Sequence, residues 1–361
     1  MGSENKVFFK QALVTKRRTM RPVNRAQSRK AQRKAWLYPW AQERQYAQNI
    51  YKWVRPFIKA VEEYITEQAE SILHGDSFQP TKIYHPRETA NLDGKEIILH
   101  EEHIDVLPGP GFVTLTKTLA GWIAQYYPDP ETNRSPSGIM MGIGATANGV
   151  KKAAEREWGK QTEPVLGFQF NTSETWWPDL KQQWVETNFK LIKSIPQNYI
   201  NRVNDLVEKA VTNGWSYQTL MADLKKIGAQ TTGYQIKRLA RDQIGKLNGQ
   251  ISQAQQVDAG IEMYIWQTAG DERVRGNPTG RFPKAIPSHF IMNGLLCRWD
   301  DATVYSDDKG KTWKKRTDKM PQSHPGMEIQ CRCTAIAYMD DLIGEIDKSF
   351  GDNVDRGVKA L

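Results

Sequence analysis

The residues best able to do chemistry lie between 264 and 333. YIWQTAGDERVR (264–275) supplies Asp271, Arg273 and Arg275. His289 and the pair Asn293–Gly294 follow, and then SHPGMEIQCRC (323–333), with His324, Pro325, Gly326, Cys331, Arg332 and Cys333. Two histidines and two thiols are a donor set for zinc, so His289, His324, Cys331 and Cys333 are candidate ligands. Their spacing counts against it. In a strand, Cys331 and Cys333 would share a face about 6.6 Å apart, at roughly 3.3 Å per residue. Sulfurs on one zinc must lie under about 4 Å apart, given Zn–S near 2.3 Å. The backbone would have to curl into a knuckle. The same geometry disfavours a local Cys331–Cys333 disulfide. The expectation is therefore no cofactor, with zinc as the one candidate, and thiols serving as small buried residues on a strand.

The charged residues admit two chemistries. Asp271, Arg273, His289 and His324 could form an acid–base or phosphate site, but no nucleophile–base pair or carboxylate pair is discernible. Two arginines two apart at a strand end point the same way, and a neighbouring acid can bridge them to loop carbonyls. The set is expected to hold irregular backbone together and not to catalyse. Removing Asp271 from a truly buried pair would then cost on the order of 3–5 kcal/mol. Elsewhere, HEEH (100–103) sets His100 and His103 three apart with no evident third ligand, which reads as polar side chains facing solvent. GIMMGIGATANG (138–149) lacks the phosphate-cradling pattern and reads as a mobile loop or packing contact.

These residues must be positioned by the elements around them. IEMYIWQTA and CRCTAIAYM (331–339) alternate with period two, and ATVYSDDKGKTWKKR reads as a hairpin turning at Asp307–Gly310. Ahead of them, 174–258 is a helical block: WWPDLKQQWVETNFKLIKSI broken by Pro196, a second helix ended by Gly214, a short helix opened by Ser216 and running to Ile227, and a last one through Ile236, Leu239, Ile244, Leu247 and Ile251. An amphipathic helix spans 48–73 with Pro56 in its first turns or kinking it, and 74–145 is rich in Gly and Pro. The fold class is α+β, with mainly helical N-terminal and middle regions and a small β-rich C-terminal domain. The expected divisions are a basic arm 1–34, an aromatic and helical region 35–145, a helical domain 146–258, a β-rich domain 259–340 and an amphipathic tail 341–361.

Charge is unevenly placed. The chain has 361 residues and net charge +9. Residues 1–34 hold eleven bases against the single acid Glu4, while the remainder holds 39 bases and 40 acids, so the whole excess lies in the arm. Lys16, Arg17, Arg18, Arg21, Arg25, Arg29, Lys30, Arg33 and Lys34 leave almost no apolar residue to build a core. Such an arm attracts a polyanion, either nucleic acid or an acidic protein surface. No run of about 18 uncharged apolar residues occurs, so no membrane span is expected, and no apolar stretch behind the basic N-terminus suggests a secretory signal. Three cysteines, an odd count, fit a reducing compartment.

The series D-E-R-V-R, His, N-G, H-P-G and C-R-C, preceded by RLARDQIGKLNGQ (238–250) and NFKLIKSIPQNYINRV (188–203), resembles the F-like minor head proteins of phage Mu and related head-morphogenesis proteins of tailed phages. The resemblance covers about 150–340. The segment GNPTGRFPKAIPS (276–288) departs from it, since family members run more directly to the histidine. The resemblance implies a structural, non-enzymatic minor capsid protein in the phage head, made in the host cytoplasm and oligomeric within the virion. Implied partners are the portal protein and the major capsid or scaffold protein, and the basic arm would add contact with packaged DNA. The alternatives are a nuclease or toxin-like enzyme on the C-terminal domain, or a free DNA-binding protein.

Overall fold

Ile50, Val54, Phe57, Ile58, Val61, Ile65, Ala69 and Ile72 recur at helical spacing, and all are buried. That stripe makes Trp40–His74 one helix, α1, with Pro56 in its interior and not in its first turns. The computed structural model describes residues 36–85, 87–92, 95–127, 138–166 and 174–339. The arm 1–34 and the tail 341–361 lie outside the described residues. The described residues form two compact units, each discontinuous in sequence. One takes 36–47, 142–186 and 238–339, and the other 48–141 and 187–237. The expected divisions at 35–145, 146–258 and 259–340 run consecutively and so do not coincide with these units.

In the second unit, β1 (Thr81–His85) pairs antiparallel with β4 (His103–Leu107), and β2 (Glu88–Leu92) with β3 (Lys95–His100). KEIILHEEHIDVL thus forms two strands. Helix α2 (Pro110–Tyr126) buries Leu115, Leu119 and Ile123. Just past its end, the Tyr127 hydroxyl donates to the Trp53 carbonyl at 2.9 Å. Glycine-rich 138–149 is not a loop: it opens helix α3 (Gly138–Leu166), because Ile143, Ala147, Val150 and Ala154 keep an apolar stripe through it. Nor does Pro196 break the next helix, α4 (Trp177–Thr212). Proline removes one helical hydrogen bond at a cost of about 3 kcal/mol. Phe189, Ile192, Ile195, Tyr199 and Ile200 are buried on both sides of it, and their packing offsets that cost. Helix α4 stops before Gly214, which sits at φ +59°. Ser216 accepts from the Thr219 amide to cap helix α5 (Tyr217–Gln230). A π turn, Thr231–Gln235, then leads into α6 (Ile236–Asp258) without a break.

The first unit sets α3 and α6 beside a three-stranded antiparallel sheet ordered β6–β5–β9, from β5 (Met263–Gln267), β6 (Leu296–Arg298) and β9 (Thr334–Ala337). Tyr264 and Trp266, alternate residues of β5, point into the core, as their period-two pattern requires. Tyr264 faces Cys297 and Ala337 in register, and Trp266 faces Ala335. The short hairpin of β7 (Val304–Tyr305) and β8 (Lys314–Lys315) flanks it. The architecture is α+β, with helices dominant and the β structure of this unit C-terminal. No helix among the described residues is long and apolar enough to cross a membrane.

Candidate functional site

The C-R-C segment does not lie in a strand. Strand β9 begins only at Thr334, and the chain ahead of it turns back on itself. The Cys331 amide donates to the Glu328 carbonyl at 3.0 Å, and Gln330 takes φ +57°. Two anchors hold that left-handed residue. Its amide donates to Asp242 Oδ1 at 2.9 Å, and Arg241 donates to its side-chain oxygen at 3.1 Å. The curl that an extended strand forbids is therefore present, so the expectation of two thiols on one strand face is corrected.

Helix α6 supplies the floor for this loop. A Cβ on Gly245 would strike the Cys331 carbonyl oxygen, and one on Gly249 would come within 2.5 Å of the Pro325 carbonyl oxygen. Gly326, at φ +85°, has the Gly245 carbonyl 2.6 Å from where its own Cβ would sit. The glycines of GKLNG and H-P-G thus let backbone meet backbone, which no larger residue permits. Gln256 fixes the other end of α6. Its amide donates to the Ala335 carbonyl at 3.0 Å, while Trp299 Nε1 donates to its oxygen at 3.0 Å.

Three side chains converge on one point. His289 Nδ1 lies 3.4 Å from Cys331 Sγ and 3.4 Å from Cys333 Sγ. All three donor atoms fall within 4.8 Å of one another, and all three residues are buried. The amides of Gly326 and Cys333 each donate to Cys331 Sγ at 3.4 Å. On the far side of the ring, His289 Nε2 meets Glu328 Oε2 at 2.9 Å, and Arg275 meets the same oxygen at 3.0 Å. The electrostatics follow from these contacts. The Cys333 thiol and then the His289 ring push Cys331 well below the ordinary thiol range, against burial, while its partnership with Cys331 raises Cys333. Burial opposes charge on His289, but Cys331 and Glu328 outweigh it and lift the ring to about 8.

His324 is not in this group. Its Nδ1 faces the Tyr264 hydroxyl at 3.0 Å, and its ring packs 5.0 Å from Trp299. Of the four candidate ligands named from the sequence, His289, Cys331 and Cys333 come together and His324 does not. Asp271 does not bridge the two arginines either. It accepts from the Arg273 amide at 2.9 Å and pairs with that guanidinium at 3.2 Å, while Arg275 goes to Glu328 and to the Ile329 carbonyl at 3.2 Å. Asn293 Oδ1 accepts from the amide and hydroxyl of Thr268 at 2.9 and 3.0 Å, and the Gly294 amide donates to the Trp266 carbonyl at 2.8 Å. In 276–288, Gly276 and Ser288 donate to the carbonyls of Phe282 and Lys319 at 3.0 and 2.7 Å. His103 stacks on His85 at 4.6 Å on the exposed β1–β4 pair.

Sequence reasoning missed the deepest ion pair among the described residues. Arg332 donates to both oxygens of Glu43, at 2.8 and 3.1 Å, and lies 4.3 Å over the Trp40 ring. Trp36 joins the same unit, its amide donating to Gln267 Oε1 at 2.9 Å. A glutamate 289 residues away in sequence gives no local signal. Glu328 was within reach: a carboxylate in the same short block as candidate histidine and cysteine ligands is what would orient an imidazole.

Residues 201–336 match the family described as phage Mu protein F like. A stretch of 154 residues, 43% of this chain, is 30% identical to a protein of Haemophilus influenzae described as uncharacterized. The chain spans only 28% of that protein's length. No solved structure matches. The matched residues 201–336 include His289, Cys331, Cys333 and Glu328, so the site lies within the stretch that is similar to the phage Mu protein F like family.

Proposed function

We propose that this chain is a minor capsid protein of a tailed phage, non-enzymatic, seated at the portal vertex or inside the head and contacting packaged DNA through residues 1–34. The observation that carries the reading is the family match over 201–336. The chemistry-bearing residues of that block fit a structural role. Asn293 and Gly294 bind backbone of their own unit, and Arg332 is sealed by Glu43 and Trp40. Cys331 and His289 are 4% and 3% exposed, which leaves little room for a substrate to reach them. Assembly would take place in the host cytoplasm. Portal protein, with major capsid or scaffold protein, would be its contacts there, and it would be oligomeric in the finished head.

Mass spectrometry of purified particles, with cross-linking to the portal, tests this. Its absence from particles, or a DNA-cleaving or group-transferring activity lost on mutating His289 in folded protein, would reject it. The arm has its own test. Deleting 1–34 should leave both units folded and weaken DNA binding. For 6–10 phosphate contacts that binding should drop by about 10³–10⁵ between 50 and 200 mM salt. Salt-insensitive binding, unchanged by the deletion, would make the arm a mere tail.

A further inference from the structure

We propose that His289, Cys331 and Cys333 bind one zinc ion, which staples the loop ahead of β6 to the loop ahead of β9. The distances carry the inference. For Zn–S near 2.3 Å and Zn–N near 2.05 Å at a tetrahedral angle, N and S on one zinc lie about 3.6 Å apart. Both Nδ1–Sγ separations are 3.4 Å, so the ring already stands at ligand distance from two sulfurs.

The surroundings match what such a centre requires. Glu328, 2.9 Å from Nε2 of His289, is placed to hold the proton on that nitrogen when a metal takes Nδ1, the nitrogen that faces the two sulfurs. Arg275 holds Glu328 in place at 3.0 Å, so the ring's orientation is fixed through two residues. Cys331 Sγ already accepts two backbone amides, from Gly326 and Cys333, as a metal-bound thiolate does. A set of two sulfurs and one imidazole, with no carboxylate among the donors, selects a soft or borderline ion over magnesium or calcium. Two thiolates and a neutral imidazole around a divalent ion sum to zero charge, which suits a buried position. These three donors would leave the fourth position of a tetrahedral ion to a non-protein ligand.

The fold also has a use for the ion. Between Gln267 and Thr334 the chain holds only a three-residue strand, two two-residue strands and one 3-10 turn. Such a stretch has few ladder hydrogen bonds, and a metal joining His289 to Cys331 and Cys333 would close most of it into one loop. This centre does not depend on where the protein sits in a particle, so its test is independent of head assembly.

Full-length protein, purified under reducing conditions without a metal-affinity tag, should carry about one zinc per chain by elemental analysis. Stripped protein should take up cobalt and develop thiolate-to-cobalt charge-transfer absorption. Cys331→Ser, Cys333→Ser and His289→Gln should each lose the bound metal, while Cys297→Ser keeps it. Because the variants could fail to fold, chelation of the unaltered protein gives a second reading. Its melting temperature should fall and should recover when zinc is restored. Three results would overturn the proposal: no zinc and no cobalt uptake by reduced wild-type protein, full metal content in a folded Cys331→Ser variant, or a Cys331–Cys333 disulfide with no cobalt uptake after reduction.

Discussion

Replacing Glu43 by alanine should destabilise the unit that holds it more than any single change in the D-E-R-V-R block. The reason is burial. The Arg332 side chain is 6% exposed and that of Glu43 12%, and two nitrogens of Arg332 reach both carboxylate oxygens, at 2.8 and 3.1 Å. Arg241 approaches the same carboxylate at 3.5 Å, so alanine strips two guanidinium groups of their acid at once. Breaking a buried pair from one side costs about 3–5 kcal/mol, because the remaining charge stays desolvated. The Trp40 face keeps some of the attraction, at roughly 1–2 kcal/mol for a desolvated cation over an indole, and among the described residues Asp271 at 3.9 Å is a further acid near Arg332. The expected loss is therefore about 3 kcal/mol, read from the urea midpoint at constant slope by tryptophan fluorescence. Arg332→Met should cost less, since a similar volume replaces the charge and Glu43 retains Arg241. A double-mutant cycle should return a coupling of at least about 1 kcal/mol. A Glu43→Ala loss under about 1 kcal/mol, or no coupling, would refute the buried-pair reasoning.

The other expectations follow from the same geometry. Asp271→Ala should cost only about 0–1 kcal/mol, because its pair with Arg273 is 26% and 40% exposed; a loss above 3 kcal/mol by urea unfolding would reinstate the buried bridge expected from the sequence. Gly249→Ala should lose about 1–2 kcal/mol, as a Cβ 2.5 Å from the Pro325 oxygen forces the loop away at more cost than the roughly 1 kcal/mol of helix propensity returns; a stabilised variant would show that the close approach does not matter. Burial, then Arg316, lowers His324 from 6.5 to about 4, so the unfolded chain takes a proton that the folded one refuses. Stability should thus fall as pH drops below 6.5 and level off near 4, and His324→Gln should flatten that part of the thermal-stability profile; an unchanged profile rejects the assignment.

Where one stripe of side chains dictates an element, the sequence was readable. The helix of 48–73, the Ser216 cap, the Gly214 stop and the β5 alternation all rest on local patterns, and the structure keeps each. Where local and tertiary signals conflict, local reading failed. Pro196 argues for a break, but buried residues on both sides of it outweigh one lost hydrogen bond. GIMMGIGATANG looks like a loop by its glycines, yet Ile143, Ala147, Val150 and Ala154 keep it helical. The polar residues of α6 show the opposite case, where residue type alone does not give burial. Asn248, Ser252, Gln255 and Gln256 are polar by type, but all are buried, and Gln256 donates to the Ala335 carbonyl of β9 and accepts from Trp299.

The site shows the same limit more sharply. Its residue types were legible, because His, Cys and Cys within one short series are few and chemically distinctive. Its geometry was not, because the deciding contacts come from distant segments. Nothing in CRCTAIAYM says that 331–333 leaves the strand. That is decided by Asp242 holding Gln330 in a left-handed turn and by Gly245 and Gly249 admitting the loop to the surface of α6. Read with those contacts, RLARDQIGKLNGQ and SHPGMEIQCRC are two halves of one device, a helix with a notch and a loop that seats in it. Each half looks ordinary alone. Both lie within 201–336, and the spacing between glycines on the helix matters because it matches the spacing of carbonyls on the loop.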